Sequence, residues 1–232
     1  MIGLQDFQKL RLTVWFAFAL ILGATTVRGQ ADTLPRLPEL YKKRVAEFKQ
    51  TPMATGQIIF LGNSITEGGN WQRLLKDSTV LNRGIGGDIT FGVLKRLDEI
   101  VQRRPSKLFL LIGINDLANR IEPEVILQNI FTTVRQVRSA SPQTEVFVQS
   151  ILPVNPSFEN FPEGYDVMDN IVIINKQLQR YGDKLKYTYV DLFSAFTDSQ
   201  QQLDKKYATD GLHLNTAGYQ QWVATLRKLK YL

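Results

Sequence analysis

The sequence predicts an α/β fold built on one parallel sheet of five strands. Short apolar runs alternate with segments of helical period along most of the chain, the pattern of successive βαβ units. Most of those runs end in glycine, asparagine or aspartate, as strands that open into loops do. The 232 residues, 44% hydrophobic and 22% charged, suit a single globular core. No repeat, low-complexity tract or linker divides them.

The elements follow in order. Residues 32–50 read as a lead-in that packs on the domain surface, with a helical segment at 41–48. Ile58-Ile59-Phe60-Leu61 is a buried strand that stops at Gly62. A short helix or turn at 71–75 leads to a second strand at 79–82. Residues 90–102 carry Val93, Leu94, Leu97 and Val101 at helical spacing. Five consecutive apolar residues, 108–112, make the third strand. The helix expected at 123–140 has Pro123 in its first turn, and Val125, Ile126, Ile130, Val134 and Val137 form its buried stripe. The fourth strand is 146–148. Residues 167–182 are helical with Ile171, Ile174 and Leu178 inward, 187–192 is the fifth strand, and 217–229 is the closing helix.

Composition removes whole classes of chemistry. With no cysteine there is no disulfide framework, thiolate zinc site, thiol nucleophile or iron–sulfur cluster. With one histidine there is no His-rich metal site, and a mechanism that needs an imidazole must use His213. The net charge of +6 is scattered, without a run of five or more basic residues, so nucleic acid is not an expected partner. The doublets Lys42-Lys43, Arg103-Arg104 and Lys205-Lys206 read as solvated positions.

The first residues have the organisation of an export signal. Lys9 and Arg11 precede an uncharged apolar run, 12–24, that is shorter than the ~20 residues a bilayer core requires. Small residues around Val27, Gly29 and Ala31 follow it, as before a signal-peptide cleavage site. Residues 1–29 are therefore expected to be a signal and 30–232 the working domain, in the periplasm, at the cell surface or outside the cell. Without Lys9, Arg11, Arg28 and Asp6 the charge falls to +4. A buried N-terminal helix and a retained anchor are the alternatives; stable membrane insertion after cleavage is not expected.

In an open parallel sheet, ligands bind beyond the carboxyl ends of the strands. Gly62-Asn63-Ser64-Ile65-Thr66 follows the first strand, and Arg83-Gly84-Ile85-Gly86-Gly87-Asp88 the second. Gly113-Ile114-Asn115-Asp116 follows the third, and Asp210-Gly211-Leu212-His213 lies between the fifth strand and the last helix. That set of residues fits acyl transfer. A serine hydroxyl is a weak nucleophile until a base takes its proton; His213 is the one available imidazole, and Asp210 can orient it. The developing oxyanion needs preorganised donors, which the Ser64 and Gly87 N–H groups and the Asn115 amide could supply.

These four blocks resemble the SGNH hydrolases, also called the GDSL esterase/lipase family, over almost all of 58–219. The stretch 82–90 is particularly similar to platelet-activating-factor acetylhydrolase catalytic subunits and to bacterial acetylesterases. The resemblance implies a three-layer α/β/α sandwich of flavodoxin-like topology and no cofactor. It implies Ser64 as nucleophile, Asp210 and His213 as the rest of the triad, and Ser64, Gly87 and Asn115 as oxyanion donors. Asn63, Gly86 and Asn155 are expected to contact substrate. Asn63 stands where the family usually has aspartate; it keeps the shape and drops the charge.

Each residue also has a plainer reading. Ser64 could be a helix cap, Gly86-Gly87 an ordinary turn, Asn115-Asp116 an Asx turn, and His213 a surface histidine. Gly86 is the alternative donor to Gly87, and Asp191 the rival to Asp210. Trp71 either lines the site or packs in the core. Phe158, Phe161 and Tyr165, in a proline-rich stretch after the fourth strand, form either a pocket wall or a packed loop. The expected activity is hydrolysis of short acyl esters, acetyl first, on a glycan or small molecule. The alternatives are a lysophospholipase-like or longer-chain lipid esterase, and a catalytically silent glycan-binding module.

Overall fold

The computed structural model describes residues 36–232. The expected signal segment and the first lead-in residues lie outside them. Helix α1 (Tyr41–Gln50) precedes strand β1 (Ile58–Gly62), which leads into the short helices α2 (Ser64–Glu67) and α3 (Trp71–Leu75). Strand β2 (Leu81–Gly84) is followed by α4 (Thr90–Lys95) and α5 (Leu97–Gln102). Strand β3 (Lys107–Leu111) is followed by α6 (Ile114–Ala118) and α7 (Pro123–Ala140). Strand β4 (Glu145–Gln149), α8 (Met168–Leu185), β5 (Thr188–Val190), α9 (Phe193–Phe196) and α10 (Thr216–Lys228) complete the domain.

The five strands pair in parallel in the order β2-β1-β3-β4-β5. The chain leaves β1 toward one edge and returns to β3 on its other side. The carboxyl ends of β1 and β3 therefore flank the topological switch point, where such sheets open a crevice. The α/β class, the five strands and their shared direction match the expectation.

The central strands β1, β3 and β4 are buried on both faces, which is why they read as continuous apolar runs. Their register aligns Phe60 with Phe109 and Phe109 with Phe147. These rings stack at 4.8 and 4.6 Å, and Trp71 covers Phe60 at 3.8 Å. Trp71 is 1% exposed and meets Trp222 of α10 edge-on, so it belongs to the core and not to the site. Ile126, Ile130, Val134 and Val137 of α7, with Ile171, Ile174 and Leu178 of α8, fill another part of the core. Burying each such side chain contributes about 1.5–3 kcal/mol.

Four expectations move. The second strand lies two residues later than expected, because Asn82 and Arg83, which look too polar for a buried strand, have partners waiting. Asn82 Nδ2 donates to the Thr66, Glu67 and Gly69 carbonyls at the end of α2, and Arg83 pairs with Glu99 at 3.0 Å. The helix expected at 90–102 breaks at Arg96 (φ −119°, ψ 15°). Its guanidinium is buried against Asp88 and donates to the carbonyls of Arg83 and Gly62. Arg103, expected to be solvated, is fully buried; it donates to Glu99 (2.5 Å) and to the Thr51 and Pro52 carbonyls that follow α1. The fifth strand keeps only Thr188–Val190, because Ser150 Oγ accepts from the Leu192 and Phe193 N–H groups and turns the chain into α9.

Candidate active site

Ser64 opens α2 immediately beyond β1. The preceding Asn63 is extended (φ −99°, ψ −151°), and its Oδ1 accepts from the Ile65 N–H at 3.0 Å. This cap turns the chain sharply from strand to helix and leaves Ser64 half-buried at the sheet edge. Asn63 itself is wholly buried, and its Nδ2 has no acceptor among the described residues. It is therefore a cap that orients the serine, in place of the substrate contact expected of it. An aspartate there would make the same cap through a carboxylate oxygen, so the asparagine preserves the turn.

The histidine arrives from the other end of the chain. Ser64 Oγ lies 3.0 Å from His213 Nε2, and His213 Nδ1 lies 2.7 Å from Asp210 Oδ2. Asp210 Oδ1 also accepts from the Leu212 N–H (3.0 Å) and the His213 N–H (2.7 Å). Burial pushes the Asp210 carboxyl up, but the His213 backbone and ring hydrogen bonds and the one from Leu212 outweigh it. The group sits below its ordinary value. An ionised Asp210 can only accept, so Nδ1 carries the ring proton and Nε2 is free to accept from Ser64. The three side chains form one hydrogen-bonded line able to move a proton off the serine oxygen. The rival Asp191 instead accepts from Ser194 N (3.0 Å) and Oγ (2.6 Å) at the start of α9.

Asp210 and His213 sit on a loop pinned at several points. Thr209 N donates to the His213 carbonyl (2.9 Å), and Ala208 and Leu214 form an antiparallel bridge. Asn155 fixes this loop to the chain leaving β4. Its backbone N–H donates to the Gly211 carbonyl at 2.8 Å, and its Nδ2 to the Leu203 carbonyl at 2.8 Å. Its Oδ1 accepts from Ser157 N and Oγ. Asn155 is 1% exposed, so it braces the loop and does not face substrate.

The expected oxyanion donors stand on the segments that follow β1, β2 and β3. The Ser64 and Gly87 N–H groups have no acceptor among the described residues. Gly87 is exposed and left-handed (φ +73°), a conformation that favours glycine. The Gly86 N–H, the alternative donor, is taken by Glu67 Oε2 at 2.7 Å. Asn115 is buried in α6. Its Oδ1 accepts from the Tyr165 hydroxyl (2.7 Å), and one N–H donates to the Asp88 carbonyl (2.8 Å). Those two bonds fix the amide orientation and leave its second N–H available.

Several residues that hold this set were not read from the sequence as parts of the site. Buried Asp88 pairs with Arg96 at 2.8 Å; burial pushes its carboxyl up and Arg96 opposes this. Asp116 accepts from the Thr90 N–H and hydroxyl, tying α6 to the start of α4. Burial raises its carboxyl to about 6 against those hydrogen bonds. Glu67 engages both Gly86 and Arg44. The available signal was position: Asp88 and Asp116 stand inside the blocks, and Glu67 directly follows the first.

Comparison with known proteins bears on the family and the fold. The GDSL-like lipase/acylhydrolase family matches residues 60–221. The platelet-activating factor acetylhydrolase IB subunit alpha1 of Rattus norvegicus is 27% identical over 169 residues, 70% of either chain. An arylesterase of Vibrio mimicus is 24% identical, covering 74% of this chain and 86% of its own. A solved structure from Streptococcus pneumonia, provisionally described as a platelet activating factor, is 32% identical with a TM-score of 0.74. It covers 82% of this chain and 92% of its own. A GDSL-like lipase from Bacteroides thetaiotaomicron, 23% identical, shares the fold with a TM-score of 0.70 over 83% of this chain and 98% of its own. With its five-stranded parallel sheet and its blocks in order along that sheet's carboxyl edge, the chain belongs to the GDSL-like lipase/acylhydrolase family of carboxylic ester hydrolases.

Proposed function

We propose that the protein is an exported serine esterase that removes short acyl groups, acetyl first, from carbohydrates or small esters. The observation that carries the mechanism is the continuous line Ser64 Oγ–His213 Nε2, His213 Nδ1–Asp210 Oδ2, at 3.0 and 2.7 Å. His213 accepts the serine proton as Oγ attacks the ester carbonyl, and Asp210 holds the imidazolium that results. The Ser64 and Gly87 N–H groups and the free N–H of Asn115 receive the oxyanion. His213 then protonates the leaving alcohol, and water attacks the acyl-enzyme by the reverse route. The chain's own residues supply every proton transfer.

The short-acyl preference draws on the acetylhydrolase and arylesterase relatives and on the crowding around the oxyanion turn. A side chain at Gly87 would meet Pro38 at 3.3 Å, and Tyr165 closes over Asn115. Phe161, close to Gly211, is proposed as part of the same wall. Export draws on the apolar run at 12–24 and the small residues after it; no helix among the described residues is long and apolar enough to cross a membrane. The glycan is proposed from export and the resemblance of 82–90 to acetylesterases.

Hydrolysis of p-nitrophenyl acetate, butyrate and octanoate by protein lacking residues 1–29 tests the reading, with Ser64→Ala and His213→Ala alongside. Acetate turnover lost in both variants is the expected result, and release of acetate from O-acetylated glycans would follow. Turnover confined to octanoate would move the proposal to a lipid esterase. Absence of turnover, or turnover surviving Ser64→Ala, would defeat the assigned nucleophile and favour a glycan-binding module.

A further inference from the structure

Glu67 lies three residues beyond the nucleophile and is used by none of the steps above. Its two carboxylate oxygens face different parts of the molecule. Oε2 accepts the Gly86 N–H at 2.7 Å, and Oε1 forms an ion pair with Arg44 of α1, 3.0 Å from Nε but not aligned as a hydrogen bond. Close packing leaves little slack in this contact, because a side chain at Gly84 would strike the Glu67 backbone at 2.2 Å. Helix α1 is itself fastened down. Tyr41 donates to the Gly92 carbonyl at 2.6 Å, Arg103 holds the carbonyls after the helix, and Phe48 packs beneath the Arg44 and Arg83 guanidiniums at 4.9 and 4.7 Å.

We infer that Glu67, held by Arg44, is a positioning residue that sets the oxyanion turn relative to the nucleophile; the inference rests on the serine-esterase reading. Two consequences follow from the geometry. Engaging the Gly86 N–H fixes that peptide plane and leaves the next N–H, that of Gly87, as the free donor. Because Glu67 belongs to the helix that Ser64 opens, one carboxylate also fixes the Gly87 turn relative to the Ser64 N–H. Lead-in helix α1, which contains none of the four sequence blocks, thereby takes part in shaping the site. Donors aimed at an oxyanion lose much of their effect when displaced by about 1 Å, which costs on the order of 10²-fold in rate.

The test compares wild type, Glu67→Ala, Glu67→Gln and Arg44→Ala. It measures kcat and KM for p-nitrophenyl acetate and the Ki of a short alkylboronic acid, which forms a tetrahedral anionic adduct on the serine. Glu67→Ala is expected to lower kcat about 10- to 100-fold and weaken the boronate by a similar factor, with KM within about twofold. Glu67→Gln is expected to recover most of both, since its amide oxygen can still accept from Gly86. Arg44→Ala is expected to lose a few-fold in the same direction. A Glu67→Ala enzyme whose kcat and boronate affinity stay within twofold, or whose loss is confined to melting temperature, overturns the inference. If Glu67→Ala does not fold, Arg44→Ala decides: unchanged kcat and boronate affinity overturn it, and a parallel fall supports it. Wild-type turnover that Ser64→Ala abolishes and Glu67→Ala spares defeats the positioning role alone. A wild type without esterase activity removes both readings together.

Discussion

The two halves of the site are built differently. The oxyanion side hangs on buried charge: Asp88–Arg96, Arg83–Glu99 and Arg103–Glu99 lie beneath it at 0–6% exposure, and Arg96 ties the ends of β1 and β2 to the turn bearing Gly87. The acid–base side is a local loop. Asp210 and His213, three residues apart and partly exposed, are held by short-range backbone bonds and by Asn155. A donor that must meet a developing charge at a fixed point is placed by rigid, long-range structure. A histidine that moves a proton over about 3 Å needs only the right tautomer and direction. The contrast teaches that the two halves are held by different means, long-range buried charge against a local loop, so substitutions should differ in how far they disturb stability.

The largest expected effect is Asp210→Asn. Its amide oxygen can still accept the Leu212 and His213 N–H bonds, so the loop stays folded while the ring loses its orienting charge. We expect kcat for p-nitrophenyl acetate to fall about 10³- to 10⁴-fold with a melting temperature close to wild type. A fall of less than tenfold would break the comparison, because the local loop would then be dispensable. Glu99→Ala works through the scaffold: it strands two buried arginines and should cost about 3–5 kcal/mol in urea unfolding, a loss of stability that Asp210→Asn does not share. Asn115→Ala removes one donor, and kcat should drop about 10²- to 10³-fold at nearly constant KM.

Asp116 sharpens the comparison through pH. Its folded value of about 6 lies above the ordinary 3.8. The folded chain therefore holds a proton that the unfolded chain releases, and stability falls as pH rises through about 4 to 6. Asp116→Asn should remove this dependence, so urea midpoints of wild type and variant should diverge by the equivalent of about 2–3 kcal/mol between pH 4 and 7. Parallel midpoints would show that Asp116 is not a buried acid. The smallest effect is expected for Asn155→Ala, about 1–2 kcal/mol, read as faster hydrogen exchange confined to 203–214.

Local pattern carries far through this chain. The five strands, their shared direction and the long helices were legible because fully buried strands leave unbroken apolar runs and surface helices leave stripes of period 3.6. Ser64, Asp210 and His213, found in one hydrogen-bonded line, were legible because each stands just beyond a strand or before a helix. Asn63, Gly86 and Asn155 were picked out for the same reason, yet the structure uses them as cap, anchored peptide and brace. What they touch depends on neighbours remote in sequence. Arg103 makes the same point: its doublet reads as solvated, and only Glu99 and carbonyls brought from elsewhere make its burial affordable.

The sequence by itself determined the layered α/β architecture and the chemical kinds of group along one sheet edge, because periodicity and residue type are local properties. Tertiary structure alone decided that the Asp210–His213 loop reaches Ser64 and which polar side chains serve as scaffold. Those outcomes turn on distances of about 3 Å between segments up to 149 residues apart, set by strand order and register and by no single stretch of chain.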